Sequence, residues 1–170
     1  LEVLYFFDEI DEFVINNLAQ YDEIEFKSVL SGDLDLLDED EEGEEDDDET
    51  EELLEVIEDN LESKVDEVRL SKRLKSSAVC LVSGEAGPSM SMEKVLEQMD
   101  QNIGRAQRIL EINPNHQLFS KLKNLYQAEG NSEQLSEYSD LLYSLAGLVE
   151  GFTPEDPVEF SNKITELMAQ

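Results

Sequence analysis

Past residue 50 the apolar positions alternate between two rhythms, one helical and one extended. Leu53, Leu54, Ile57 and Leu61 recur at helical spacing, with Thr50 placed to cap the helix. Val65 to Leu70 reads as a strand with Val68 and Leu70 on one face, and residues 71–77 as a turn. Ala78 to Val82 is unbroken apolar sequence, the pattern of a strand central in a sheet. Ser89 can cap a helix carrying Met92, Val95, Leu96 and Met99 at i, i+3, i+4 and i+7. Arg108 to Ile112 is a third strand. Asn113-Pro114 signals a helix start, followed by Leu118, Phe119, Leu122, Leu125 and Tyr126 on one face and a stop at Gly130. Ser132 opens the longest helix, with Leu135, Tyr138, Leu141, Leu142, Leu145, Leu148 and Val149 before Gly151. Asp156-Pro157-Val158-Glu159 places a cap, a first-turn proline and a capping-box glutamate ahead of Phe160, Ile164, Leu167 and Met168. The order helix, strand, strand, helix, strand and three helices predicts an α+β domain: a small sheet of about three strands followed by a helical end.

The first residues follow a different plan. Val3-Leu4-Tyr5-Phe6-Phe7 reads as a buried strand, and Asp8 as the cap of a helix with Ile10, Phe13, Val14 and Leu18 on its stripe. Phe26 and Val29 suggest a further extended piece. This is half of an α/β unit, too small to fold alone, and it reads as the tail of a preceding domain. An opening at Leu1 inside an apolar stretch fits an excised piece. The expected division is 1–32 for that tail, 33–49 for an acidic linker or loop and 50–170 for the α+β domain. No basic residue occurs between Asp33 and Glu52, so self-repulsion favours a solvated chain there. Its last acids suit the first turn of the helix that follows.

Charge then narrows the partners. The chain of 170 residues carries 43 acidic and 12 basic side chains, a net charge of −31, which repels nucleic-acid phosphates and anionic membranes alike. No apolar run approaches the ~18 residues of a membrane span, and no basic-then-apolar leader is present. The single cysteine, Cys80, excludes an intrachain disulfide and fits a reducing cytoplasm. Cys80 in its apolar strand is expected to be inert, and His116 to be a capping or surface residue. Asp38-Glu39-Asp40-Glu41-Glu42-Gly43 with Glu49 imitates a calcium loop, but Glu45 stands where an apolar residue normally sits and no entering helix precedes it. An acidic calcium-buffering or scaffold protein is therefore the alternative function. No catalytic triad, phosphate loop or acid–base pair emerges, so the chain is not expected to be an enzyme and no cofactor is expected in it.

Several segments together resemble the ninety-kilodalton heat-shock chaperone family, in its bacterial form. They are Glu2 to Tyr5 with Ile10 to Phe13, Val68-Arg69-Leu70-Ser71-Lys72-Arg73-Leu74, Met92 to Leu96, Leu110-Glu111-Ile112-Asn113-Pro114-Asn115-His116, and Leu141 to Gly151 with Glu155-Asp156-Pro157. The acidic run matches no family motif. The resemblance implies the end of a middle domain joined to a C-terminal dimerisation domain of an ATP-dependent chaperone that assists folding under stress. It implies a cytoplasmic homodimer holding unfolded or partly folded clients, whose last two helices form an intermolecular four-helix bundle. The family's ATP and Mg site lies in an N-terminal domain, outside this sequence. Leu135, Tyr138, Leu142, Leu145, Val149, Phe160, Ile164, Leu167 and Met168 become the expected pairing residues. Phe13, Asn16, Met92, Val95, Leu96 and Met99 become the expected client contacts. For the apolar residues among these, packing into the chain's own core is the competing reading.

Overall fold

The structure, a computed structural model, describes residues 3–5, 11, 14–15, 18, 20–26, 47–84, 89–98 and 104–169, without the side chains of 96–98. The chain divides into two compact units: residues 35–82 with 108–170, and residues 1–34 with 83–107.

The larger unit begins with α1, Asp48–Leu61. Asp47, not Thr50, caps it: its Oδ1 accepts the Thr50 N–H at 2.7 Å. Aspartate caps at least as well as threonine, and acids at 48, 49 and 51 fill the first turn, so the helix starts inside the expected linker. Thr50 serves the next layer instead, its hydroxyl accepting from Lys123 Nζ at 2.9 Å. Leu53, Leu54, Ile57 and Leu61 are buried, as their spacing predicts.

Three strands, β3 at Glu67–Leu70, β4 at Val79–Ser83 and β5 at Arg108–Ile112, form a sheet in the order β3-β5-β4. β3 and β5 are parallel, with Glu67 opposite Ile109 and Leu70 opposite Ile112. β4 runs against β5, tied from Asn113 N–H to Ala78 O and from Gly84 N–H to Gln107 O. The expectation that the 78–82 strand is central is thus corrected: β5 is central. An apolar run marks burial of both faces, which a marginal strand also reaches when helices cover it.

The helix expected at Asn113-Pro114 begins later. α3 spans Gln117–Glu129 and is capped by His116, whose Nδ1 accepts the Leu118 N–H at 3.2 Å. The Asn113 side chain is buried: its Nδ2 donates to Ser77 O at 2.9 Å, closing the turn between β3 and β4, and its Oδ1 accepts the Asn115 N–H at 3.0 Å, holding a turn ahead of the helix. Gly130, at φ 64°, ends α3 in the left-handed region that glycine adopts freely.

α4, Glu133–Val149, is capped by Ser132 and stops at Gly151, both as expected. α5, Pro157–Met168, starts with proline in its first turn, and Asp156 Oδ1 accepts from the Val158 and Glu159 N–H groups at 2.9 Å each. The Glu159 carboxylate pairs with Lys163 at 3.0 Å. α1 packs on α4 and on β3, α3 packs on α1 and α4, and α5 packs on α4.

In the smaller unit the backbone is helical at Asp11, Val14, Ile15 and Leu18, where a helix is expected. A hairpin follows: β1, Gln20–Tyr21, pairs antiparallel with β2, Ile24–Glu25. Its turn residues Asp22 and Glu23 have φ 51° and 66°. Such turns are usually marked by an Asn-Gly or Asp-Gly pair, so Asp-Glu concealed it, and the expected extension at Phe26 falls one residue past β2. Val29 lies outside the described residues. Val3, Leu4 and Tyr5 are exposed and form no strand, contrary to expectation, because no strand among the described residues pairs with them. Phe6, Phe7 and Asp8 lie outside the described residues. α2, Met90–Gln98, is capped as expected by Ser89, whose Oγ accepts the Met92 N–H at 3.1 Å.

Candidate functional site

The two terminal helices differ in how they treat their apolar stripes. α4 buries Leu135, Tyr138, Leu141, Leu142 and Ala146 against its own unit. One turn later the same helix exposes Leu145, Leu148 and Val149, the last at 80%. α5 has no buried residue at all. Phe160, Ile164 and Leu167 are half-buried along it, while Val158 and Met168 stand 70% and 82% exposed. Among the expected pairing residues, Leu135, Tyr138 and Leu142 are therefore covered within the protomer. Leu145, Val149, Phe160, Ile164, Leu167 and Met168 retain surface. Leu148 and Val158, which the expected set does not contain, are exposed as well. Leu148 stands three positions after Leu145, on the stripe that the spacing predicts.

The foot of α5 is fixed by charge and one aromatic ring. Phe152 donates its N–H to Gly147 O at 2.9 Å, and the Arg108 guanidinium lies over the Phe152 ring, 4.9 Å from its centre. Arg108 Nη1 also donates to the Tyr143 hydroxyl at 3.4 Å. A groove of about 290 Å³ runs here, lined by Lys64, Arg108, Asp140, Tyr143, Phe152 and Lys163 among others. Asp140 on α4 meets Lys64 at 2.8 Å and Lys163 of α5 at 3.7 Å. Burial pulls the Lys64 ammonium toward losing its proton, but the hydrogen bond and charge of Asp140 outweigh it and hold its pKa above the usual value. The Glu159 hydrogen bond, against partial desolvation, does the same for Lys163.

A second cluster joins two of the quoted motifs. Glu111 on β5, 3% exposed, accepts from Arg69 Nη2 at 2.9 Å, Arg73 Nη2 at 2.8 Å and Ser71 Oγ at 2.9 Å. Ser71 Oγ in turn accepts the Leu74 N–H at 3.2 Å, so the carboxylate and the turn after β3 hold each other. Cys80 lies 3.8 Å from Glu111, and burial together with that charge pushes the thiol up to about 12. Such a thiol stays protonated and unreactive near neutral pH. A carboxylate this fully engaged has no lone pair directed at an open face. The cluster organises the sheet and offers no place for a substrate.

The expected client contacts are less completely visible. Met92 and Val95 of α2 are half-buried, and Met90 and Glu93 on the same helix are buried. Glu93 Oε2 accepts the Ala106 N–H at 3.1 Å. Phe13, Asn16 and Met99 and the side chain of Leu96 lie outside the described residues. Of the imitation calcium loop, residues 38–43 lie outside the described residues too. Glu49 sits in the first turn of α1 and accepts from Gln127 Nε2 at 2.9 Å. Among the described residues, no group of three or more His, Cys, Asp or Glu is arranged to hold a metal ion, and no helix is long and apolar enough to cross a membrane.

The family model described as Hsp90 protein matches residues 1–170. The chaperone protein HtpG of Clostridium botulinum (strain Loch Maree) is 52% identical over 171 residues, covering 98% of this chain and 27% of the relative. HtpG of Bacillus subtilis (strain 168) is 48% identical over 172 residues with the same coverage, and that of Clostridium acetobutylicum is 44% identical over 168 residues, 98% of this chain and 26% of the relative. The chain thus spans about a quarter of the length of the curated relatives it matches.

Proposed function

The chain belongs to the Hsp90 family, and from that membership we propose that it is the self-pairing, client-holding region of an ATP-dependent chaperone of the HtpG type. The observation that supports self-pairing most is the unfilled surface of α5. A helix of twelve residues with an apolar stripe and no buried side chain, next to exposed Leu145, Leu148 and Val149, is half of an interface. Two copies would close it as a four-helix bundle of α4 and α5 with their counterparts, burying upwards of ~1,200 Å² in total. In this reading residues 1–32 close a middle domain, 33–49 form an acidic loop and 50–170 form the dimerisation domain. ATP and Mg are handled elsewhere in the full-length protein, in the cytoplasm. Tethering raises the effective concentration of the remaining domains for one another, so that nucleotide can close them on a client.

Sedimentation tests the pairing. The wild-type chain is expected to sediment as a dimer, and Leu148→Glu with Val149→Glu as a monomer with unchanged far-UV circular dichroism. A double variant that still pairs would remove α4 from the interface. Charge at Leu142 is unsuitable for this purpose, since that side chain is 2% exposed and its loss would damage the protomer.

Client holding is assigned to Met92, Val95 and Leu96 of α2 together with Met99, with Phe13 and Asn16 as the second contact. Half-exposed methionine suits a surface that must accept many sequences, because its unbranched thioether adapts to irregular shapes. Met92→Ser with Val95→Ser should weaken capture of an unfolded protein and leave the melting temperature within a few degrees of wild type. A collapse of stability would identify α2 as core.

A further inference from the structure

We infer that Asp140 is a positioning residue for self-pairing: its bridge to Lys64 and Lys163 holds α5 at the attitude in which its exposed stripe meets a second copy. This rests on the self-pairing reading. No residue of α5 is fully buried, and Phe160, Ile164 and Leu167 are only half-buried, so the apolar effect orients the helix incompletely within one protomer. A chain of charges adds to that partial contact: Lys64 to Asp140 at 2.8 Å, Asp140 to Lys163 at 3.7 Å and Lys163 to Glu159 at 3.0 Å. Lys64 anchors that chain to the segment between α1 and β3, which is fixed to the sheet by Asp66, whose Oδ2 accepts the Arg108 N–H at 2.8 Å. The bridge therefore refers α5 to the rigid part of the unit rather than to α4 alone. The groove lined by Lys64, Asp140 and Lys163 keeps these charges partly open to water, where a bridge can adjust. A preset α5 loses less conformational freedom when a second copy binds, which is where a weak bridge can affect affinity.

The test is a mutant cycle on the dimer of the whole chain. Asp140→Asn keeps the side-chain volume, Lys163→Met removes only the α5 end, and Lys163→Arg preserves the charge. Sedimentation at low salt should show the dimer Kd raised about threefold to fivefold by Asp140→Asn or Lys163→Met, no further by the two together, and restored with Lys163→Arg. In 1 M salt the differences should vanish. Amide exchange over 157–168 in dilute monomer should quicken in Asp140→Asn, which a merely structural loss spread over the unit would not confine to α5. A wild-type dimer whose Kd ignores all three variants overturns the inference and leaves self-pairing intact. A wild-type chain that is monomeric at high concentration overturns the self-pairing reading, and the inference with it.

Discussion

Two carboxylates in this molecule each hold two cations, and they do so for opposite ends. Glu111 is 3% exposed and accepts from two guanidinium groups and a serine hydroxyl. Asp140, a third exposed, receives two lysines, one of them at 3.7 Å. Arginine's planar fork fits a carboxylate with fixed geometry, whereas lysine is a hydrated point charge on a flexible stem. The Glu111 junction therefore locks a strand to a turn. The Asp140 bridge guides a helix that has surface still to fill. The same formal charges give rigidity when water is excluded and adjustability when it is not.

The largest expected effect separates these two directly. Glu111→Ala should destabilise the chain by about 3–5 kcal/mol in urea unfolding, because it removes the buried carboxylate that Arg69, Arg73 and Ser71 share and leaves a gap in its place. Asp140→Asn should cost under about 1 kcal/mol in the same measurement. Similar losses for both would erase the distinction. Next come the two sides of α4. Leu142→Ala should cost about 2–5 kcal/mol by cavity formation, and Val149→Ala within about 0.5 kcal/mol when measured on dilute monomer. If Val149→Ala proves as costly, that residue is core and the pairing surface shrinks to α5.

How much of this could be read from residues alone varies with range in sequence. The helices of the larger unit and β5 follow from periodicity and caps, since both are local: Ser132, Gly130 and Asp156 act within four residues of where they stand. The helix starts at Asp47 and His116 were misplaced because a cap is chosen by competition. A better acceptor upstream displaced Thr50, and a distant turn recruited Asn113. The position of β4 in the sheet depends on pairing across about thirty residues, which no local pattern records. The apolar stripe of α4 is legible in the spacing, but its division into buried and exposed positions depends on which neighbours reach Leu135, Tyr138 and Leu142. That is a property of the packed unit. The Glu111 cluster was visible only as two separate motifs, because Arg69, Ser71 and Arg73 meet Glu111 through the parallel register of β3 and β5.

The smallest expected effect sharpens the comparison with pH. Lys64 and Lys163 both have pKa values raised above the usual 10.5 in the folded chain. The stabilisation this represents is complete below that unfolded value and disappears as pH climbs through the elevated folded one. The charges facing Lys64 are Asp140 and Glu155, with Tyr143 nearby, and those facing Lys163 are Glu159, Asp140 and Glu137, all of which favour the ammonium. Among the described residues the cations that Glu111 holds are Arg69 and Arg73, and arginine keeps its proton throughout. Amide exchange corrected for its intrinsic pH dependence should therefore show protection over 157–168 falling above pH 10.5 while β5 stays protected. Uniform loss across both segments would mean that the whole unit opens at once, and that the foot of α5 has no independent freedom for charge to restrain.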